Sequence, residues 1–406
     1  MPKILQVNVT ANWGSTGKIA EQIGLLVMSQ GWESYIAYGR YANVSGNKLI
    51  KVGSKLSIYE HYLENRFLDN EGLASRIATL TLIKQIQHLA PDIVHLHNIH
   101  DHWINYNLLF QYLNSIDIPI VWTHHDCWAF TGGCAHYSLK GCYKWQYECS
   151  NCNFKRSCID RSHRNFYYKR NLFLANNNLT HVAVSQWLKN EIDKSYFKTQ
   201  RVEQIYNGID TDQFVIKNGD LIKQKYGIST KFILLGVANC WSEQKGYSDY
   251  LALSKLLPND CVIVLVGLQS KRIKGLPKNI IGISRTNNVN ELIDLYAMAD
   301  VVLNLSYQET FGLTTAEGLA CGTPGIVYNC TASPELITKD TGRIVEKGNI
   351  EEVLRAIYEI KLIGKANMSN ACRQRVLSKF DKNKSYKRYL DLYNSLLEEH
   401  RNKAKY

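Results

Sequence analysis

Short runs of aliphatic and β-branched residues recur along the chain, each followed by a longer stretch in which apolar positions return every three or four residues. That alternation predicts βα units wound around parallel sheets. One series of strands is expected at 4–9, 34–38, 92–96, 118–123 and 180–184, and a second at 232–237, 261–266, 280–283, 301–305 and 325–328. Two series imply an α/β protein of two doubly wound domains. The break falls near Asn207-Gly208-Ile209-Asp210, because Asn-Gly is a turn signal of the kind hinges use. Open α/β sheets bind ligands beyond the carboxyl ends of their strands, so the cleft between the domains is the expected site.

Composition narrows the class. The chain has 406 residues, 45% hydrophobic and 21% charged, as expected of a soluble globular protein of two to three domains. No apolar run approaches the roughly 18–20 residues of a membrane span, and the chain opens on a strand pattern rather than a signal peptide. The expected location is the cytoplasm, with peripheral attachment at the inner face of the membrane. Forty-eight Lys and Arg against 36 Asp and Glu give a formal charge of +12, a sign that suits nucleic acid, anionic lipid or phosphorylated substrates. Part of the excess lies at 155–170, where Arg161, Arg164, Phe166, Tyr167, Tyr168, Lys169 and Arg170 interleave cations with aromatics. Such a segment is either a solvated helix face or a contact with an anionic membrane surface. No nucleic-acid module accompanies the charge, so nucleic acid is not an expected partner.

Candidate chemistry begins at Asn12-Trp13-Gly14-Ser15-Thr16-Gly17-Lys18, between the first strand and a helix pattern. A phosphate-binding P-loop would need glycine at Asn12 and a hydroxyl at Ile19, and neither is present. What remains is a glycine loop at a helix start, either a plain βα turn or an anion site built from backbone N–H groups. A second such site is expected where Glu309 precedes, and Glu317 lies inside, a helix opening at about Gly312. The amides of Phe311, Gly312 and Leu313 would face an anion there, leaving the two carboxylates for hydroxyl groups on either side of it.

The pattern Glu309 to Glu317, with Phe311-Gly312 inside it and Gly322-Thr323-Pro324 after it, resembles the donor site of retaining GT-B glycosyltransferases. It is most similar to family 4, the group 1 type of capsule, O-antigen and exopolysaccharide assembly. The likeness extends to Asp92-Ile93-Val94-His95-Leu96-His97, Thr123-His124-His125-Asp126, Val184-Ser185, Asn207-Gly208-Ile209-Asp210, Lys245-Gly246 and Ala299-Asp300-Val301. It implies a GT-B fold. Residues 1–205 would form an acceptor-side Rossmann-like domain and 206–385 a nucleotide-sugar domain, with a terminal helix at about 386–406 crossing back to the first. It implies a nucleotide-diphosphate sugar as donor and a glycan or lipid-linked oligosaccharide as acceptor. Gly14 and Gly17 would lie near the donor phosphate, and Lys245 would pair with the diphosphate. His125 would face the transferred sugar, with His124 on the opposite strand face. His95, His97, His100 and His102 would line the cleft. The family's partner arginine would fall at Cys240, so a second cation would have to come from Arg285 or from Lys271-Arg272. No carboxylate nucleophile is expected. The acceptor would attack on the face the nucleotide leaves, the departing phosphate would take the proton, and no metal would be needed. A sugar-nucleotide epimerase and a non-catalytic assembly subunit are the competing readings.

Eleven cysteines, five of them at 134, 142, 149, 152 and 158, form one further cluster. An odd total argues against a disulfide framework. Cys149-Ser150-Asn151-Cys152 is half of a zinc spacing that Cys134 and Cys142 could complete, and the alternative is reduced thiols packing an irregular loop.

Overall fold

The structure, a computed structural model, describes residues 1–153 and 157–403. The chain divides into two compact units, one made of Met1–Ile205 with Ser385–Tyr406, the other of Tyr206–Lys384.

The first unit holds a parallel sheet of seven strands: β1 (Lys3–Asn8), β2 (Glu33–Tyr38), β3 (Lys48–Lys51), β4 (Ile93–Leu96), β5 (Ile120–His124), β6 (Leu179–Ala183) and β7 (Arg201–Gln204). Their order is β3-β2-β1-β4-β5-β6-β7. The second unit holds six: β8 (Phe232–Val237), β9 (Cys261–Val266), β10 (Ile280–Ile283), β11 (Val301–Asn304), β12 (Gly325–Tyr328) and β13 (Gly342–Val345), ordered β10-β9-β8-β11-β12-β13. All pairings are parallel. The central strands are buried along their whole length, β4, β5, β9, β11 and β12 without a break, which is why they read as continuous apolar runs in the sequence. In each sheet the order reverses beside the first strand, β1 against β4 and β8 against β11, the point at which such folds bind ligands.

Helix Lys382–Lys403 returns to the first unit. Tyr386, Tyr389, Leu392, Tyr393, Leu396 and Leu397 on one face of it share a core with Ile4, Ile23, Ile93, Val121 and Val182 from the first sheet and its helix. Each of these large side chains contributes on the order of 1.5–3 kcal/mol when fully buried. At the crossing, Ile209 and Asp381 run side by side: Ile209 N donates to the Phe380 carbonyl at 2.7 Å, and Thr211 Oγ1 donates to Asp381 Oδ2 at 2.5 Å.

Candidate functional site

In the second unit the chain leaves β8, passes Cys240 and makes a 3-10 turn over Glu243–Lys245. Gly246 follows at φ 70°, and a Cβ there would stand 2.1 Å from the Leu305 carbonyl oxygen. Glycine therefore lets this turn press against the segment just after β11. Tyr307 N fastens the two by donating to the Gln244 carbonyl at 2.8 Å. The approach brings Lys245 Nζ to 2.6 Å from Glu309 Oε1, with the side chains 32% and 15% exposed.

Glu309 is pinned through its backbone. Its N–H donates to Thr331 Oγ1 at 2.9 Å and its carbonyl accepts from Ala332 N at 3.2 Å. Helix Leu313–Ala320 then starts at Gly312, which has φ 98° and no side chain to cap the first turn. The amides of that turn are thus available to an anion. Phe311 is a core residue, 2% exposed and ringed by Tyr206 and Phe380, so what it offers the site is its backbone. Glu317 lies more than a turn into the helix, where its Oε2 accepts from the buried Tyr296 hydroxyl at 2.9 Å.

Of the two expected sources of a second cation, Arg272 reaches the β8 loop. Its Nη1 donates to the Trp241 carbonyl at 3.0 Å, and its guanidinium lies 4.6 Å from the Tyr247 ring centroid. Arg285 is exposed on the segment after β10, an edge strand two places from β8.

In the first unit, Gly14 opens helix Gly14–Ser29 at φ 65° with open space where a Cβ would be. Gly17 is different: a Cβ there would meet Thr10 Oγ1 at 2.7 Å, so its absence lets the helix pack on the glycine loop. The ends of β4 and β5 carry a layer of histidines. His97 Nδ1 lies 3.1 Å from His125 Nε2, and His97 Nε2 lies 3.1 Å from Gln6 Oε1. His124 faces away and bonds His181 at 2.7 Å, as strand alternation requires. Burial pushes His125 and His181 down to about 4 and His95, His97 and His124 well below the usual range. One neighbour behaves oppositely. Burial pulls on His100 too, but Asp126, 2.8 Å away, outweighs it and raises the imidazole to about 9, while His100 holds the Asp126 carboxyl below the usual range. A small cavity beside these groups is lined by His97, Asn98, His100, Thr123, His125 and Asp126.

Three expectations need correction. His95 does not line a surface: it is fully buried, hydrogen-bonded through Nδ1 to the Tyr393 hydroxyl at 2.7 Å and through Nε2 to Thr123 Oγ1 at 2.7 Å. In the basic–aromatic segment Arg164, Tyr168 and Arg170 are exposed, but Lys169 is not the surface cation expected there. In helix Ser162–Leu174, Phe166 and Lys169 are each 1% exposed. Lys169 Nζ donates to the Trp128 carbonyl at 2.5 Å and lies 3.9 Å from the Trp128 ring centroid. Arg161 and Arg164 both donate to Asn70 Oδ1. Lys155 lies outside the described residues. Nor do Cys134, Cys142, Cys149 and Cys152 form a four-thiolate site, for among the described residues no three His, Cys, Asp or Glu side chains gather so as to hold a metal. None of the four is in a disulfide. Burial pushes Cys134 and Cys149 up to about 11, and Cys149 Sγ accepts from Gly132 N at 3.1 Å. The loop orders itself on aromatics instead, with buried Trp145 packed 5.0 Å from both Phe130 and Tyr137.

Sequence reasoning missed Gln6 and the His100–Asp126 pair. The adjacency of Asp126 to His125 was the signal available for the pair. Nothing marks Gln6 except its polarity between the apolar Leu5 and Val7.

Two family models match. Residues 26–213 match Glycosyltransferase Family 4 and residues 219–376 match Glycosyl transferases group 1. Over 375 residues the chain is 24% identical to the putative colanic acid biosynthesis glycosyl transferase WcaC of Escherichia coli K12, covering 87% of this chain and 89% of that one. It is 28% identical to N-acetyl-alpha-D-glucosaminyl L-malate synthase of Bacillus anthracis over 235 residues, which are 54% of this chain and 60% of that enzyme. The structure of HepE from Anabaena in complex with UDP-glucose superposes with a TM-score of 0.66 at 16% identity, covering 97% of this chain and 99% of that one. Two Rossmann-like units bearing these matches define a GT-B glycosyltransferase. The chain is a glycosyltransferase whose first half carries a family 4 domain and whose second half carries a group 1 domain.

Proposed function

We propose that the protein transfers a sugar, with retention of configuration, from a nucleotide-diphosphate sugar to a growing glycan, in the setting of a lipid-linked surface polysaccharide precursor. The observation that carries this reading is the Lys245–Glu309 pair set beside the uncapped start of helix Leu313–Ala320. A diphosphate bound at that helix start would take Lys245 as counter-ion and free Glu309 for a sugar hydroxyl. Glu317, oriented by the Tyr296 hydroxyl, would serve the ribose hydroxyls. Arg272 would supply the second cation that Cys240 cannot. As the nucleotide departs, Lys245 and the amides stabilise the charge growing on its phosphate, which accepts the proton of the incoming hydroxyl. No metal is required for that step.

HepE, a fold relative, takes UDP-glucose, which supports a nucleotide-sugar donor. WcaC, named for colanic acid biosynthesis, supports a surface glycan as acceptor, either free or on a lipid carrier. Neither family match favours an epimerase or a non-catalytic subunit. No helix among the described residues is long and apolar enough to cross a membrane, so a lipid-linked acceptor would be met at the surface. The test is incubation with a panel of labelled nucleotide sugars. One donor should bind and be slowly hydrolysed without added divalent ions, and absence of binding by every donor would overturn the reading. Co-sedimentation with anionic vesicles, lost as salt is raised, tests the membrane contact, and indifference to lipid charge would remove it.

A further inference from the structure

The chain turns sharply as it leaves β12. Cys330 N donates back to the Tyr328 carbonyl at 2.8 Å, and Thr331 follows with φ 50°, just ahead of the 3-10 turn Ser333–Leu336. That is left-handed backbone, where an L side chain presses its Cβ toward the next carbonyl and branching at Cβ adds to the crowding. Among the described residues with positive φ other than glycine, Thr331 alone is β-branched. Glycine or asparagine would sit there with less strain. What threonine adds is its hydroxyl. Oγ1 accepts from Glu309 N at 2.9 Å, and the hydroxyl also hydrogen-bonds the Cys330 thiol, which donates to the Ser306 carbonyl at 3.3 Å. The loops after β11 and β12 are thereby laced through one side chain. The net worth of one hydrogen bond does not exceed what such backbone costs, so the fold gains little from the exchange.

We propose that Thr331 is a positioning residue: strained into left-handed backbone, it uses its hydroxyl to hold the Glu309 amide and so fixes where the Glu309 carboxylate meets the donor sugar. The role of Glu309 rests on the proposed transferase reading. The latch between the two loops does not. In the structure the carboxylate is held by Lys245 Nζ at 2.6 Å, and the backbone by Thr331 and Ala332. A diphosphate that takes Lys245 as counter-ion removes the first of these anchors at the moment the carboxylate is needed. Placement then falls to the backbone, and Thr331 supplies the part of it that a side chain decides. Strain of this kind persists where it serves a site rather than the fold.

The test compares Thr331→Gly, Thr331→Ser and Glu309→Ala in the full chain, by thermal unfolding and by kcat and KM for nucleotide-sugar hydrolysis, with UDP-glucose as the first donor. Thr331→Gly relieves the backbone and loses the hydroxyl. Its kcat should fall roughly tenfold, the size of one lost hydrogen bond, with donor KM within about twofold and the unfolding midpoint within about 2 °C of wild type. Thr331→Ser keeps the hydroxyl and should hold kcat to within about threefold of wild type. A wild-type kcat in Thr331→Gly overturns the inference, as does a Thr331→Ser protein as slow as the glycine variant. A Thr331→Gly chain that fails to fold, or whose midpoint falls in step with its rate, makes the hydroxyl a requirement of the fold and overturns it too. A slow Glu309→Ala beside a fast Thr331→Gly refutes the positioning and leaves the transferase site standing. A fast Glu309→Ala refutes that site, and the positioning with it.

Discussion

Lys245 Nζ and Glu309 Oε1 stand 2.6 Å apart although 64 residues separate them in the chain. The turn carrying Lys245 and the loop carrying Glu309 are held together by backbone contacts that need no ligand, so the pair is in place before a donor arrives. Substituting either residue by alanine should lower turnover at least ~100-fold, equivalent to ~2.7 kcal/mol of transition-state stabilisation. Both side chains are partly exposed, so the thermal unfolding midpoint should change little. Near wild-type turnover at saturating donor would show that the pair lies outside the reaction site.

Arg272 and Arg285 make a discriminating comparison. Arg272 is anchored on the Trp241 carbonyl, next to the position where the expected arginine is replaced by Cys240. Arg272→Ala should weaken nucleotide-sugar binding roughly tenfold, read as a raised Kd by calorimetry, whereas Arg285→Ala should leave it within about twofold. The reverse ranking would move the second cation to the segment after β10.

Acid should unfold the first unit before the second. All twelve histidines lie outside residues 206–384. Buried His125 and His181 have folded values of about 4, below the unfolded value near 6.5, so the unfolded state binds more protons between these limits and stability falls as pH drops through that window. Each such group gives up about 3 kcal/mol by the end of it. His100 has the opposite sign. Raised to about 9, it stabilises fully below 6.5 and loses that contribution as pH rises toward 9. Hydrogen exchange at pH 4.5 should show β1, β4, β5 and β6 losing protection while β8, β9, β11 and β12 keep it. Simultaneous loss in both units would contradict this.

Elemental analysis of protein purified without a polyhistidine tag should find far less than one zinc per chain, and activity should survive a chelator. Trp145→Ala should loosen the segment from Thr131 to Cys152 more than Cys149→Ser does, because the ring rather than the thiol fills its core. One tightly held zinc per chain would reverse the assignment.

The central strands were legible because parallel strands covered on both faces become unbroken apolar runs, as in Cys-Val-Ile-Val-Leu-Val at β9. The strands that escaped notice are β3, β7 and β13, all at sheet edges. Lys-Leu-Ile-Lys and Arg-Val-Glu-Gln, half in water, carry the charges that edges favour and lack the apolar signature. Donor-side chemistry was readable where residues close in sequence, Glu309 to Glu317, act together. The histidine layer was not, since Gln6, His97 and His125 meet only through the order in which β1, β4 and β5 lie in the sheet. Lys169 misled for a related reason. Sequence shows its charge but not the Trp128 ring and carbonyl that receive it.

Helix Lys382–Lys403 sets a timetable for synthesis. Residues 206–384 are contiguous, so the second unit has everything it needs as soon as it clears the ribosome. The first unit, though translated earlier, lacks the tyrosines and leucines that close its core until 385–403 have been made. The order of emergence is thus the reverse of the order of completion. A nascent chain stalled before Ser385 should carry a finished second unit behind an open first one, its apolar sheet face the natural target of chaperones.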